Sequence, residues 1–306
     1  MNRPKNQHWV PKFYLRYFAT IETYSTKEPQ VWIFSKDEND GDESITNIKN
    51  ICAKRYLYSP KDDEGQRSWD LETKLEGLET TLSIIWKQLA EGFVDLSDQT
   101  IRTGLSLFVA VMYLRHPETL KKGIGIHKKL VSLYEQAPKR SDGTPDFESV
   151  EINGEIFDID PSGWNKYRSW GTDEQHRFFA DQVQHQATYL AEILMKKRWS
   201  IIYTESNQFI TTDKPVFKQH QEKQVFGFGT EGTLISFPIS QRRLLVMDDL
   251  HAEPANQYYP LKNGALGAFN YDIWHNGSRF MISGRPIPEV LHEIVSWADF
   301  YETQNV

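Results

Sequence analysis

Residues able to do chemistry are scattered along this 306-residue chain, and only a few repeat at a spacing that suggests a reaction. Glu72, Glu76 and Glu79 fall at i, i+4 and i+7, which aligns three carboxylates on one helical face. Hard oxygen ligands in that pattern suit Mg2+, and a solvated acidic face accounts for it too. Arg115 follows the ten-residue apolar run Leu105 to Leu114 and precedes His116-Pro117. A guanidinium there can clamp a phosphate or stabilise charge in a transition state, or simply cap the helix against its dipole. Asp213 closes Phe209-Ile210-Thr211-Thr212 and stands before Lys214-Pro215. Alternation puts it on the face of Thr211 and Phe209, and turn chemistry also explains it.

Other patterns point less far. Gly227-Phe228-Gly229-Thr230-Glu231-Gly232 spells G-x-G-x-x-G, but it runs into the strand-like Thr233–Phe237 rather than a helix. A phosphate site of that kind needs helix amides directly after the glycines, so a flexible hairpin is expected. Asp181 and His185 at i, i+4 suit a shared ligand or a surface hydrogen bond. His176 and His185 lie nine residues apart and point opposite ways. A single cysteine, Cys52, excludes an intramolecular disulfide and a multi-cysteine zinc site.

These groups must be positioned by a mixed fold. Leu71, Leu75, Leu78, Leu82, Ile85, Leu89 and Phe93 follow a 3.6-residue period after Ser68. Ser97 opens a second helix, apolar on two faces, that must end near Arg115-His116 because of Pro117. Thr172-Asp173-Glu174-Gln175 reads as a capping box for a long helix reaching about Arg198. Strands are expected at Val31–Phe34 and Ile45–Ile51 around an acidic loop at 37–43. Further hairpins join Trp199–Tyr203 to Gln208–Thr212 and Leu234–Phe237 to Leu244–Met247. A helix near Leu261–Trp274, a strand Arg279–Ser283 and a helix Glu289–Tyr301 follow. The expected class is α+β, a central helical bundle packed with a mainly antiparallel sheet that the N-terminal strands join. One domain over 1–306 is expected, with a helical middle at 68–198, a β-rich part at 199–283 and a terminal helix at 289–301.

Thirty-five basic against 42 acidic residues give a net charge of −7, which argues against a general nucleic-acid coat. The charge is segregated: residues 115–140 carry seven bases and two acids, whereas 141–181 carry ten acids and three bases. No apolar run reaches the roughly 20 residues of a bilayer span, and the N-terminus lacks a signal-peptide core. The expectation is a cytoplasmic protein without a membrane segment, in which the Asn276-Gly277-Ser278 sequon is idle.

The stretch Asn6-Gln7-His8-Trp9-Val10-Pro11-Lys12-Phe13-Tyr14-Leu15-Arg16-Tyr17-Phe18 resembles the H-x-V-P-x-x-Y-L-x-x-F opening of the domain-of-unknown-function 4238 family. Phe209 to Val216 is similar to that family's F-I-T-S-D-N-P-V block, with Thr212 for Ser and Lys214 for Asn. Ile235 to Ser240 is similar to its F-P-L-S block, and Glu72, Glu79 and Arg115 fall where the family pattern suggests. The resemblance spans residues 6 to 283. It implies a link to phage defence, with which some bacterial members are associated.

Gathered on that resemblance, His8, Glu79, Arg115 and Asp213 form a candidate catalytic set for phosphodiester hydrolysis, with or without Mg2+. His8 serves as acid or base, Asp213 as its partner or a metal ligand, and Arg115 as stabiliser of phosphorane charge. Lys121, Lys122, Lys128 and Lys129 would follow an RNA or DNA backbone. The function expected is an anti-phage effector acting on nucleic acid, answering a phage protein trigger. The alternative is a non-catalytic sensor or interaction protein, in which Trp9, Phe13, Tyr14, Tyr17 and Phe18 pack the N-terminus onto the core and His8 is a core histidine.

Overall fold

The aromatic N-terminus turns inward at once, because Tyr14, Leu15 and Phe18 are fully buried. The structure, a computed structural model, describes residues 3, 5–36, 43–141, 143–152, 154–158 and 163–304. The acidic loop expected at 37–43 thus lies, except for Glu43, outside the described residues.

The first half contains β1 (Asn6–His8), α1 (Lys12–Arg16), β2 (Gln30–Ser35), β3 (Glu43–Asn47) and β4 (Ala53–Arg55). Three long helices follow, α2 (Asp70–Glu91), α3 (Gln99–Leu114) and α4 (Pro117–Gln136), and then a hairpin, β5 (Ser149–Ile152) and β6 (Glu155–Asp158). Short α5 (Trp164–Arg168) precedes α6 (Thr172–Lys196). The remainder is β7 (Arg198–Tyr203), β8 (Thr211–Thr212), β9 (Phe217–Gln219), β10 (Leu234–Ser240), β11 (Arg243–Asp248), β12 (Gln257–Pro260), α7 (Leu266–Asn276), β13 (Phe280–Ser283) and α8 (Ile287–Gln304).

The central sheet runs β12-β7-β11-β10-β9, antiparallel except where β12 pairs with β7. Strands β10 and β11 are buried on both faces, since each face meets a different helical layer. Ile235, Phe237 and Ile239 join Leu82, Trp86, Leu105, Phe108 and Leu194 of α2, α3 and α6. Leu244 and Val246 face the other way, toward Ile273, Val290 and Ile294 of α7 and α8. Those two helices approach so closely that a Cβ at Gly267 would fall 2.5 Å from the Glu293 carbonyl oxygen. The second sheet, β3-β2-β13-β8, is antiparallel and pairs N-terminal with C-terminal strands, as expected. The α+β class holds.

Several local expectations change. Thr211–Thr212 does not form a hairpin with β7, because β11 and β12 already occupy both edges of that strand; it pairs with β13 instead. Pro117 ends α3 but opens α4 at its first position, where a missing N–H costs nothing. Ile48–Asn50 is a 3-10 turn rather than a strand. Helix α3 is capped by the Asp98 carboxylate, which accepts the Thr100 and Ile101 N–H groups, and not by Ser97. Phe93 lies beyond the end of α2 and is exposed.

Trp86 is the centre of the aromatic core, in contact with Phe13, Tyr14, Phe108 and Phe237 at ring-centroid distances of 5.1–6.3 Å. Trp86→Ala is expected to cost roughly 3–5 kcal/mol in urea unfolding. Ile84→Ala, on the wet face of the same helix at 77% exposure, should stay within about 0.5 kcal/mol.

Candidate active site

Strand β1 lies antiparallel to β4, and its side chains alternate. Gln7 is buried, donating from Nε2 to Ser59 Oγ at 2.7 Å and accepting the Tyr58 N–H at 2.7 Å. His8 takes the opposite face, half-buried, with Nε2 3.3 Å from the Lys49 carbonyl oxygen. Burial, reinforced by Lys12, lowers the His8 pKa to about 4, so the ring is neutral at neutral pH. With Nε2–H donating to Lys49, Nδ1 is the acceptor nitrogen.

Trp9 is tied at three points. Its N–H donates to the Cys52 carbonyl at 2.8 Å, its carbonyl accepts from Arg115 Nε at 2.8 Å, and its indole N–H donates to the Asp213 carbonyl at 2.9 Å. Cys52 reaches this position at φ +53°, a region few non-glycine residues adopt. Its thiol is buried and held well above the usual cysteine range, which removes it as a nucleophile at neutral pH. Tyr14 links the other two signature blocks. Its hydroxyl donates to the Pro238 carbonyl at 2.8 Å and accepts from Thr211 Oγ1 at 2.7 Å.

Arg115 is fully buried at the end of α3. Nη1 donates to Glu79 Oε1 at 2.7 Å, and Tyr58 donates its hydroxyl to the Arg115 carbonyl at 2.8 Å. Glu79 is therefore turned toward Arg115. Burial, then the charge of Glu79, pushes Glu72 up to about 7. Among the described residues no three His, Cys, Asp or Glu side chains are grouped to hold a metal ion, the Glu72–Glu76–Glu79 face included.

Asp213 is buried and its carboxylate organises the start of β13. It accepts N–H groups from Ser278, Arg279 and Phe280 at 3.0–3.2 Å. Burial raises its pKa, and these donors oppose the rise. The turn before Ser278 demands glycine, because a Cβ on Gly277 would lie 2.7 Å from Thr212. The histidine facing Asp213 is His116, the N-cap of α4. Its Nδ1 accepts the Glu118 N–H at 3.1 Å, so Nε2 carries the proton, 3.9 Å from Asp213 Oδ2. That Nε2 is buried and has no hydrogen-bond partner among the described residues. Burial lowers His116 to about 4.

Charged groups surround this pair. Glu118 accepts from the Ser278 hydroxyl and lies 3.7 Å from Lys214 Nζ. Lys36 donates to the carbonyls of His275 and Gly277 and feels the charge of Asp213. Lys122 and Lys214 both act on His116. Lys121, Lys122, Lys128 and Lys129 are exposed on α4, in two rows seven residues apart.

The structure thus brings Glu79 to Arg115, and joins Arg115 to Asp213 through Trp9. His8 adjoins Trp9 in the chain but faces Lys49, and His116 takes the place beside Asp213. His116 was legible in Arg115-His116-Pro117. Ser278 and Lys36 carried no sequence signal, since Ser278 lay in an idle sequon. The glycine-rich loop enters β10 as expected, with the Gly227 and Gly232 N–H groups donated to Thr230 Oγ1 and Asp249 Oδ1. Asp181 and His185 form an exposed pair at 3.1 Å.

Two outcomes follow from this network. Arg115→Met leaves Glu79 and the Trp9 carbonyl without their donor and should cost roughly 3–5 kcal/mol in denaturant unfolding; Arg115→Lys should not restore it, lacking a fork that spans both acceptors. Glu72 has a folded pKa above its unfolded value, so its contribution is full below pH 4.5 and lost as pH rises through about 7. The Tm of Glu72→Gln relative to wild type should accordingly increase from pH 5 to pH 8.

Neither a curated protein nor a solved structure matches the chain. A family model does: that of the proteins of unknown function DUF4238 matches residues 6–285, from β1 through the last residue before α8 but one. That span holds Trp9, the Glu79–Arg115 pair, His116, Asp213 and the β13 turn that Asp213 grips. The chain belongs to the DUF4238 family.

Proposed function

We propose that this protein acts on nucleic acid, hydrolysing phosphodiester bonds as a cytoplasmic effector of phage defence. The observation that supports this reading is the His116–Asp213 pair at the head of α4, beneath Lys36, Lys122 and Lys214. The lysines and the helix N-terminus attract a phosphate. Neutral His116, its Nε2 buried beside Asp213, acts with Arg115 as a positioning residue through the Asp213 loop and does not touch the phosphate. His8 Nδ1 accepts the proton of the attacking water as its oxygen bonds to phosphorus, and the imidazolium returns that proton to the leaving oxygen as the old P–O bond breaks. Arg115 acts as a positioning residue, since its guanidinium is buried against Glu79 and Trp9 and does not reach solvent. Lys121, Lys122, Lys128 and Lys129 hold the strand along α4.

A second reading, a sensor or interaction protein without catalysis, is favoured by one observation. Arg115 and the Asp213 carboxylate are both buried and satisfied by their own chain, as structural anchors are.

Labelled RNA and DNA incubated with the purified chain, with and without Mg2+, separate the two. Cleavage should fall about 10²–10⁴-fold in His8→Ala while binding persists, and His116→Ala should lower it through displacement of the Asp213 loop. Joint reversal of Lys128 and Lys129 to Glu should weaken binding and flatten its salt slope by roughly 1.4 for a single strand, two phosphate contacts being lost. Wild-type protein that neither binds nor cuts under any of these conditions, and leaves cellular RNA and DNA as intact as Asp213→Asn does, establishes the second reading.

A further inference from the structure

Far along α4 from His116 lies a cavity of about 460 Å3 that the candidate active site does not use. Its walls are Trp164, Tyr167 and Trp170 of and after α5, Phe157 of β6 and Leu130 of α4, with Asp158 and Lys166 at the rim. The sequence here alternates rings with cations, from Trp164 through Lys166, Tyr167 and Arg168 to Trp170.

The rings form a continuous wall. Trp164 stacks on Tyr134 at an interplanar angle of 15°, and Trp170 stacks on His127 at 11°, centroids 5.7 Å apart. Tyr167 bridges them, 4.6 Å from His127 and 4.7 Å from Trp170. The back row, Tyr134, His127 and Trp164, is buried, while Tyr167 and Trp170 are half-exposed in front. The back row thus fixes the front rings, which lowers the entropy lost when something stacks on them.

The rim narrows the choice of ligand. An acyl chain needs neither the Asp158 acceptor nor the Lys166 donor, both exposed. A quaternary ammonium is repelled by Lys166 and lacks rings on opposing sides. A flat heterocycle whose edge carries donors and acceptors fits both wall and rim, and the volume lies within the range of small-molecule sites. We propose that this cavity binds a nucleobase, its face on Trp170, with Tyr167 inclined at 58° to that ring against its side, and its edge toward Asp158 and Lys166. The choice between a base within a strand and a free nucleotide rests on the nucleic-acid reading above. His127 is eleven residues beyond His116 on the same side of α4, about 17 Å at 1.5 Å per residue, while the four lysines lie on the outer face of the helix, so an unpaired strand held by them places a base here only by crossing α4.

The test uses the full chain, the four ribonucleoside 5′-monophosphates, a labelled single-stranded octanucleotide and its duplex. Trp170→Ala should weaken the single strand roughly 5- to 150-fold, the loss of one base–aromatic stack, and Trp170→Phe should recover most of it. Duplex, whose bases face one another, should bind Trp170→Ala and wild type alike. Mononucleotide binding that Trp170→Ala abolishes, without strand binding, supports the base site and assigns it to a free nucleotide. Strand affinity untouched by Trp170→Ala but reduced by the Lys128 and Lys129 reversals overturns the pocket and leaves the nucleic-acid reading intact. Folded wild type that binds neither ligand overturns both. Where Trp170→Ala fails to fold, Asp158→Asn serves instead: altered preference among the four monophosphates supports the base site, and unaltered preference overturns it.

Discussion

Trp9 makes three hydrogen bonds to three segments far apart in the chain, and each joins groups withdrawn from water. A buried donor or acceptor without a partner costs about 1–3 kcal/mol, and a buried guanidinium costs more. Arg115 therefore cannot occupy the end of α3 unless Glu79 and the Trp9 carbonyl are both present to receive it. The loop carrying Asp213 is held through its carbonyl by the same indole. Moving any of these segments alone would strand a polar group on another, so their positions are mutually determined.

From that point the constraint spreads into both sheets. Tyr14, five residues after Trp9, fastens Thr211 and Pro238 with one hydroxyl. Asp213 next to that strand grips the opening of β13, which in turn pairs with β2 from the N-terminal part. Gly277 lets the turn approach Thr212. The candidate site is thus assembled from chain ends and middle together, and the family match over residues 6–285 covers all of these segments.

Electrostatics divides the molecule in a similar way. The net charge of −7 conceals a cationic face on α4 that converges with Lys36 and Lys214 on the His116–Asp213 pair. Glu118 offsets part of that charge locally, and acids beyond about a Debye length, roughly 8 Å at physiological salt, are screened. Both histidines of the site are held neutral by burial, so their nitrogens present one donor and one acceptor each rather than a charge.

Periodicity in the sequence was sufficient to place α2, α3, the β10–β11 pair and the α+β class, because apolar spacing records which face each element buries, and a capping box marked the start of α6. It also marked Arg115, Glu79 and Asp213 as residues of interest. It gave no sign of α4 as a helix, since Pro117 reads as a stop until its place at the first helical position is known. Nor could alternation reveal that Thr211 and Thr212 pair with β13, because the edges of β7 are filled by strands 40 or more residues downstream. The role of each charged residue was likewise decided in three dimensions. Arg115 became an internal clasp, and His116 rather than His8 came to face Asp213, because hydrogen-bond satisfaction is a property of neighbours in space that local spacing does not encode.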